Sequence, residues 1–354
     1  MNIEKLISSL PDYADGFLIT SECNIFYFTG FECDAGVLLA TKNGSCFFTD
    51  SRYTEAAENT IKCAQVLDNA DFPEVFTKAC ERFGVRRLLC ETSRMTVRAA
   101  KRYGELLKDT ELLFEDDISF IGNIRRRKSE QEELLIEKAQ RISEKAFTDV
   151  LRELRPGMTE KEIALKLDFA MLNGGAEALS FQTIVVSGEN SSKPHGVPSD
   201  RKVGFGDMIT FDFGSVVGGY HSDMTRTVAL GSCSDVQKNV YCVVLEAQER
   251  ALRAIKPDVT CVSVDSAARD FIREKGYGDC FGHGTGHGVG VEIHEYPNLS
   301  PLSRETLKPG DVVTVEPGIY VRGSFGVRIE DMVIVKENGY RNFTQFDKNL
   351  ITIF

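Results

Sequence analysis

Residues 208–230 read MITFDFGSVVGGYHSDMTRTVAL, and this stretch decides how the fold is interpreted. Two strand-like runs flank Val217-Gly218-Gly219, which is typical of a β-hairpin. A turn centred between Val217 and Gly218 would place Asp212 directly opposite Asp223, with Cβ atoms about 4.5–5.5 Å apart. A Gly218-Gly219 turn would instead make the pair diagonal. Two adjacent carboxylates on buried strands require either a shared proton or a cation between them.

A second acidic pair is predicted near the C-terminus by the same logic. The strand-like residues 311–321 and 326–335 lie on either side of a short turn, and a turn centred on Gly323 places Glu316 opposite Glu330. Four carboxylates that converge on one site cannot all stay ionised without compensating charge. Two divalent cations would supply that charge, and carboxylate oxygens favour manganese, cobalt or zinc over copper.

The few histidines of the chain are concentrated in one glycine-rich segment. Residues 281–294 read FGHGTGHGVGVEIH and contain three of the five histidines, which are His195, His221, His283, His287 and His294. Alternating glycines let backbone and ligand approach closely, so this segment indicates a metal or catalytic site. The GxGxxG, HExxH, P-loop and GxSxG motifs have no match in the chain.

The composition indicates an ordinary globular protein. Its 354 residues are 42% apolar and 27% charged, and the formal net charge of -11 argues against nucleic acid as a partner. Ten cysteines without a CxxC pair disfavour a thiolate zinc site and indicate free thiols in a reducing, cytoplasmic environment. We expect no membrane association, because no secretory signal is evident and no apolar run reaches the roughly 18 residues of a membrane helix.

Two domains are expected, with an α+β organisation overall. Residues 1–124 predict a mixed α/β domain, and residues 125–354 predict a second domain that begins with the capping box Ser129 and Glu132. Predicted strands of the first domain lie near 16–20, 36–40, 46–49 and 86–90, and its predicted helices near 51–59 and 72–83. After residue 129 the order helix, helix, strands occurs twice, which predicts two similar halves. We interpret the basic run Arg125–Lys128 as a solvated linker cluster, because glutamates follow it at once.

Several stretches of the chain together resemble the pita-bread metallopeptidases, the family of methionine aminopeptidases, aminopeptidase P and prolidase. The stretches are PHGVPSDRKVGFGDMITFDFGSVVGGYHSDMTRTV (194–228), GHGTGHGVGVEIHEYP (282–297), LKPGDVVTVEPGIY (307–320) and GVRIEDMVIV (326–335). NIFYFTGFECDAGVLLA and FFTDSRYTEAA, both in the N-terminal portion, are similar to the creatinase/prolidase-like domain of the proline-specific members. The resemblance implies a pita-bread catalytic domain at 125–354 behind such a domain at 1–124.

The resemblance implies a two-metal centre with five protein ligands. Asp223 and Glu330 would bridge two divalent cations, and Asp212 would chelate one of them. His287 and Glu316 would complete the two coordination shells. All five positions carry the residue types that the family uses, so catalysis is expected to be intact. Manganese is the expected metal, with cobalt or zinc as alternatives.

The resemblance also implies residues that act on the substrate. His294 corresponds to a catalytic histidine that hydrogen-bonds the substrate near the scissile carbonyl, and Glu316 would be the general base. His195 corresponds to a second catalytic histidine that contacts the substrate from the opposite wall. His283 corresponds to a substrate-contacting histidine of the proline-specific members. Arg328 would be the partner of a ligand carboxylate and is also a candidate for substrate binding.

The expected function is that of an Xaa-Pro peptidase of the aminopeptidase P type, which hydrolyses the bond between an N-terminal residue and proline. The main alternative is an Xaa-Pro dipeptidase, or prolidase, which must grip the carboxylate of a dipeptide. Arg304 and Arg328 are candidates for that contact. More distant alternatives are a methionine aminopeptidase, a creatinase-like hydrolase without metal and a non-catalytic binding protein of the same fold. The expected partners are a peptide with proline at its second position and a second copy of the chain in a homodimer.

Overall fold

A computed structural model describes residues 2–115 and 118–354. The chain divides into two compact units, Met1–Arg125 and Arg126–Phe354. This boundary lies one residue from the domain boundary expected from the sequence. Among the described residues, none of the helices combines the length and the apolar character needed to cross a bilayer.

The N-terminal unit is built around one six-stranded sheet. Its elements are α1 (Asn2–Ser8), β1 (Gly16–Ile19), α2 (Glu22–Thr29), β2 (Gly36–Thr41), β3 (Gly44–Thr49), α3 (Thr54–Thr60), β4 (Gln65–Asp68), α4 (Phe72–Phe83), β5 (Arg87–Cys90), α5 (Val97–Leu106) and β6 (Glu111–Leu113). The strand order is β4-β3-β2-β1-β5-β6; β2 is antiparallel to both neighbours and the other neighbours are parallel. The predicted elements are present, with the second predicted helix at the expected bounds. The helices α1, α2 and α5 and the strands β4 and β6 are additional to them.

The C-terminal unit repeats one order of elements. After α6 (Asn123–Arg126), its first half has α7 (Glu130–Glu153), α8 (Glu160–Asn173), β7 (Ala178–Leu179), β8 (Ile184–Ser187), β9 (Met208–Phe213), β10 (Ser215–Val217), β11 (Tyr220–His221) and β12 (Met224–Leu230). Its second half has α9 (Asp235–Ala254), α10 (Cys261–Glu274), β13 (Gly286–Gly288), β14 (Glu295–Leu299), β15 (Val312–Val315), β16 (Gly318–Val321), β17 (Phe325–Arg328), β18 (Asp331–Lys336), β19 (Gly339–Asn342) and β20 (Thr352–Ile353). The predicted duplication of helix, helix and strands is therefore confirmed.

Each half of this unit buries a helix pair against a sheet. In the first half, α7 and α8 cover the sheet β20-β12-β9-β8, and in the second, α9 and α10 pack beside the sheet β14-β13-β15-β18-β19. Capping boxes fix the starts of three of these helices: α7 at Ser129, α8 at Thr159 and α9 at Ser234. In each box a side chain bonds one of the unpaired N–H groups of the first turn, and the exchange is reciprocal. The arrangement is the expected pita-bread fold.

The first acidic hairpin has a different register from the one that places Asp212 directly opposite Asp223. Val217 pairs with Tyr220, and Asp212 lies opposite Thr225, so the turn is Gly218-Gly219 and the two aspartates are diagonal. Both glycines have positive φ, 56° and 72°. A two-residue turn of this kind needs that conformation at both central positions, and the β-branched Val217 would be strained in it. The direct pairing was wrong, and the diagonal alternative is confirmed.

The second acidic hairpin has the predicted register. Val315 pairs with Asp331 on one side of the acidic pair, and Gly318 pairs with Arg328 on the other. Glu316 and Glu330 lie between these pairs, where the chain passes from one sheet to the next. The turn is centred on Gly323, as predicted, because Val321 pairs with Phe325.

The basic run at residues 125–128 is not a solvated linker cluster. Arg125, Arg126 and Lys128 are 6%, 6% and 7% exposed. Arg126 forms ion pairs with Asp311 at 2.6 Å and Glu305 at 2.7 Å, while Lys128 has its own buried carboxylate partner. The prediction was wrong because the compensating acids are distant in sequence, and the glutamates that follow the run do not serve this role.

Candidate metal centre

Strand alternation directs Asp212 toward the site. Its neighbours Phe211 and Phe213 lie on the opposite face of β9, where both rings pack 5.1 Å from the ring of Phe147 on α7. Because successive side chains of a strand point to opposite faces, Asp212 faces away from this aromatic cluster. The hydrophobic core thus fixes the strand that carries the first candidate ligand.

Four candidate ligands converge where the two hairpins meet the histidine segment. Donor atoms of Asp223, His287 and Glu330 all lie within 4.8 Å of one another. The His287 Nε2 atom is 3.5 Å from Asp223 Oδ2 and 3.6 Å from Glu316 Oε1. These separations are too long for good hydrogen bonds, and they leave room for a cation to be shared.

The tautomer of His287 suits a metal ligand. Its Nδ1 lies 3.0 Å from the carbonyl oxygen of Gly288, which can only accept, so Nδ1 carries the proton. The Nε2 lone pair therefore faces the carboxylates. Burial lowers the pKa of the ring to about 4, which keeps the imidazole neutral. A backbone contact that orients a histidine in this way is common in metal sites.

The electrostatics of the cluster call for cations. Burial, reinforced by neighbouring carboxylates, raises the pKa values of Asp223 and Glu330 well above their ordinary range. Burial also raises the pKa of Glu316 to about 8. Together with Asp212 there are four carboxyl groups and one contacting guanidinium, that of Arg328, so three negative charges stay uncompensated when all ionise. Divalent cations fit this donor set, because hard oxygen ligands and one imidazole suit such ions.

Arg328 holds Asp212 and organises the wall behind it. It is 3% exposed, and its Nη2 donates to Asp212 Oδ2 at 2.5 Å. Its Nε donates to Thr225 Oγ1 at 3.0 Å, and its Nη1 donates to the Tyr320 hydroxyl at 2.8 Å and to the carbonyl of Pro194 at 3.1 Å. The predicted partnership of Arg328 with a ligand carboxylate is therefore visible as a contact in the structure.

Two hydroxyl-bearing residues of this wall were missed by the sequence reasoning. Thr225 donates its hydroxyl to Glu330 Oε2 at 2.7 Å, in addition to accepting from Arg328. Tyr320 bonds both Arg328 and the Nε2 of His283. A signal for Tyr320 was present: it pairs with Gly326 on the hairpin where Gly318 pairs with Arg328, so alternation places both side chains on one face.

A cavity of about 290 Å³ opens onto the candidate ligands. His195 and His294 both line it, and the His294 ring lies 4.3 Å from that of His287 in an edge-to-face arrangement. His283 is not among the lining residues; it lies behind the wall, bonded to Gly284 and Tyr320. Its predicted substrate contact has no direct counterpart in this geometry. The remaining wall is largely apolar and includes Phe181, Ile184, Val197, Pro198 and Ile293.

The fold and the site together define a metal-dependent exopeptidase of the pita-bread class. The chain belongs to metallopeptidase family M24, whose model matches residues 135–337, and the Creatinase/Prolidase N-terminal domain matches residues 4–116. The expected family and enzyme class are confirmed. The site residues assigned by resemblance stay predictions.

Curated and solved relatives are similar to nearly the whole chain. An Xaa-Pro dipeptidase of Pyrococcus furiosus is 35% identical over 99% of both chains, and an uncharacterized peptidase of Bacillus subtilis is 42% identical over the full length of both. A structure of an Xaa-Pro dipeptidase from Bacillus anthracis has 40% identity, a TM-score of 0.95 and 99% coverage of each chain. A structure of an X-Pro aminopeptidase from Thermotoga maritima has 39% identity, a TM-score of 0.92 and full coverage of both chains.

Proposed function

We propose that this protein is a metal-dependent Xaa-Pro peptidase of the aminopeptidase P type, which hydrolyses the bond between an N-terminal residue and proline. The observation that carries the proposal is the convergence of four carboxylates, those of Asp212, Asp223, Glu316 and Glu330, on one cavity that the neutral His287 also lines. The match to the Creatinase/Prolidase N-terminal domain supports the proline preference over a methionine aminopeptidase. The complete set of ligand types argues against a non-catalytic binding protein and against hydrolysis without metal.

The proposed centre holds two divalent cations, with manganese as the expected metal and cobalt or zinc as alternatives. Asp212, Asp223, His287, Glu316 and Glu330 would hold the two ions. Charge supports two ions, since a single divalent cation would leave the cluster with a net negative charge in a buried setting. Bound cations would polarise the scissile carbonyl and supply a water nucleophile ionised near neutral pH.

The chain's own side chains would position the peptide and move the proton. Glu316 lines the cavity, and its carboxylate would accept a proton from the water nucleophile and return it to the leaving nitrogen. His294 would donate a hydrogen bond to the oxygen of the scissile carbonyl as negative charge develops there. His195 would hold the substrate from the facing wall. The apolar wall near Phe181 and Ile293 offers a dry surface for the proline ring.

The length of the substrate distinguishes an aminopeptidase of the P type, which takes longer peptides, from an Xaa-Pro dipeptidase. Among the lining residues in the described part of the chain there is no lysine or arginine to bind a dipeptide carboxylate. Arg328 is already bonded to Asp212, Thr225 and Tyr320, and Arg304 is exposed outside the lining. These observations support a longer peptide. The second candidate, an Xaa-Pro dipeptidase, is supported by the names of the P. furiosus and B. anthracis relatives.

An assay on peptides of two lengths tests the proposal. Manganese-loaded protein is incubated with an Xaa-Pro dipeptide, an Xaa-Pro-Yaa tripeptide and a Met-Ala-Ser peptide, each with a chelator control. We expect chelator-sensitive release of the N-terminal residue from the tripeptide. Cleavage of the dipeptide alone would make the protein a prolidase. Cleavage of neither proline peptide by metal-replete protein would contradict the proposal, and cleavage of Met-Ala-Ser would favour a methionine aminopeptidase.

We further propose a cytoplasmic homodimer. All ten cysteines are free thiols, which suits a reducing compartment. Closed two-fold dimers are the commonest assemblies of identical chains. Analytical ultracentrifugation of the metal-loaded protein tests the assembly; a single species at the monomer mass of 39.4 kDa would contradict it.

A further inference from the structure

The ring of His294 is held mainly by its backbone. In the described part of the chain, the imidazole forms no hydrogen bond and has one ring contact, to His287. The residue is exposed at the mouth of the cavity. It ends the loop between β13 and β14, and the pairing of these two strands shifts register between Gly286 and Gly288. Whatever fixes this loop therefore also fixes the direction in which the His294 ring points.

The carboxylate of Glu295, the next residue, folds back and closes this loop. Its Oε1 accepts the N–H of Glu292 at 3.1 Å. The group also lies against the backbone of Gly290, where a Cβ atom would be only 2.4 Å from Glu295 Oε2. Gly290 in turn donates its N–H to Glu292 and accepts the N–H of His221, two residues before Asp223. One buried carboxylate thus determines the shape of the loop.

Lys128 holds this carboxylate from outside the loop. Its Nζ donates to Glu295 Oε2 at 2.9 Å, and the side chains of Lys128 and Glu295 are only 1% and 5% exposed. The lysine backbone is itself anchored, because its N–H donates to the carbonyl of Gly310 at 3.0 Å. The next residue, Ser129, is the N-cap of α7. A buried ion pair built on such a base connects the start of the catalytic unit to the loop.

We propose that the Lys128–Glu295 ion pair is a positioning device that aims His294 at the scissile carbonyl. The proposal rests on the proposed function, since it assigns His294 a role in turnover. Within the described part of the chain, neither Lys128 nor Glu295 is among the residues that line the substrate cavity, so they would act through the loop. Lys128, the last residue of the run that looks like a linker in the sequence, thereby becomes part of the active-site framework.

Single substitutions and a paired substitution separate positioning from simple charge compensation. Lys128→Met leaves Glu295 buried without its cation, so the variant is expected to lose both thermal stability and turnover. The pair Lys128→Met with Glu295→Gln removes both charges, and most of the melting temperature should return. A positioning role predicts that kcat nevertheless stays about 10- to 100-fold low with little change in KM, because a displacement near 1 Å has effects of that size. Lys128→Arg, which keeps the charge, should retain more turnover than Lys128→Met.

A matched control uses the other buried pair of the same segment. Arg126→Met with Asp311→Asn removes an ion pair of similar burial that contacts residues 305–311 and not the His294 loop. This control should lower the melting temperature and leave kcat near the wild-type value. Metal content, measured in every variant, should stay at the wild-type stoichiometry, because none of the substituted residues is among those that line the cavity with the candidate ligands.

Hydrogen exchange provides a readout that is independent of peptidase activity. In Lys128→Met and in the paired variant, amides of residues 289–295 should exchange several-fold faster than in the wild type, while those of α7 stay protected. Recovery of both kcat and loop protection in the paired variant would overturn the proposal and leave only charge compensation. A mobile loop with unchanged kcat would refute the role of His294. If the wild type shows no peptidase activity but the loop exchanges faster in the variants, the proposed function is refuted. The structural link between the Lys128–Glu295 ion pair and the loop then still stands.

Discussion

Removal of metal should make the stability of this protein fall as the pH rises, which is the opposite of ordinary acid sensitivity. The reason is the carboxyl of Glu316, whose pKa is raised by burial from 4.5 to about 8. In metal-free protein the folded state therefore keeps a proton that the unfolded state has already lost. A raised carboxyl pKa contributes stability at low pH, and this contribution is lost as the pH rises through the folded value.

The size of the effect follows from that shift. Between pH 7 and 8.5, a pKa of about 8 in the folded state against 4.5 in the unfolded state removes about 1 kcal/mol. Asp223 and Glu330 add to the fall with the same sign, because their pKa values are also raised. For a unit of about 230 residues, 1 kcal/mol corresponds to a decrease of about 2–4 °C in melting temperature. The range from pH 7 to 8.5 lies above the titration of the buried histidines. Their lowered pKa values make stability rise with pH, but only below about pH 6.5.

Differential scanning calorimetry of chelator-treated and manganese-loaded protein at pH 7 and 8.5 measures the effect. Metal needs deprotonated ligands, so the gain in melting temperature on loading should be larger at pH 8.5. Glu316→Gln should reduce the fall, whereas Glu246→Gln should keep it, because Glu246 is a half-buried carboxylate outside the cluster and its arginine neighbours hold its pKa below the usual range. Two results together would contradict this prediction. The chelated protein would melt at the same or a higher temperature at pH 8.5 than at pH 7, and the gain in melting temperature on manganese loading would be no larger at pH 8.5.

Four further substitutions have definite expected outcomes. His294→Ala should reduce kcat by at least about 100-fold. Its melting temperature should stay within the wild-type error, because the ring is exposed and forms no hydrogen bond with any residue that the structure describes. Steady-state kinetics and calorimetry check both, and near-normal turnover would remove His294 from the mechanism. Arg328→Leu should destabilise the protein by about 3–5 kcal/mol, because it leaves the Asp212 carboxylate unpaired. It should also weaken manganese binding, measured by equilibrium dialysis. An unchanged affinity for manganese would contradict the role of Arg328 in holding Asp212. Gly286→Ala would put a Cβ 2.0 Å from the Thr314 carbonyl oxygen and should abolish the yield of folded protein. Gly104→Ala, in open space on α5, should instead stabilise the protein by about 0.5–1 kcal/mol. Folded Gly286→Ala protein that melts at the same temperature as Gly104→Ala would refute the close approach at Gly286.

Local signals in the sequence were sufficient to predict the elements that local chemistry determines. The capping box at Ser129 places the start of α7, and the bounds of α4, Phe72–Phe83, follow from its periodicity and from Gly84 at its end. The register of the second acidic hairpin could be predicted because a single glycine, Gly323, dominates its turn. In each case the deciding interaction lies within a few residues of the element it defines.

The first acidic hairpin shows how narrowly a register depends on turn type. Val217, Gly218 and Gly219 all look like turn residues in the sequence, and a choice between two centres alters the partner of Asp212. The structure selects the two glycines, because both central positions take positive φ. The candidate ligands still converge, since a diagonal pair on one face remains within reach of a shared cation. The residue types of the site were therefore predictable even where their pairing was not.

Long-range pairing is what the sequence could not supply. Lys128 and Glu295 are 167 positions apart, and Arg126 and Asp311 are 185 apart. Nothing near the basic run indicates these partners, and the acidic residues beside it favour a solvated interpretation. The same holds for Thr225, whose contact with Glu330 joins the two halves of the catalytic unit. Such contacts become visible only when the fold brings the two hairpins together.

The most direct test of the account is the location of metal in the folded protein. Crystals of manganese-loaded protein are measured at the manganese absorption edge, and an anomalous difference map is calculated. Two peaks are expected between Asp223 and Glu330, with the Nε2 atom of His287 beside one of them. An empty carboxylate cluster, or anomalous peaks only at other positions, would contradict the claim that these residues form a metal centre.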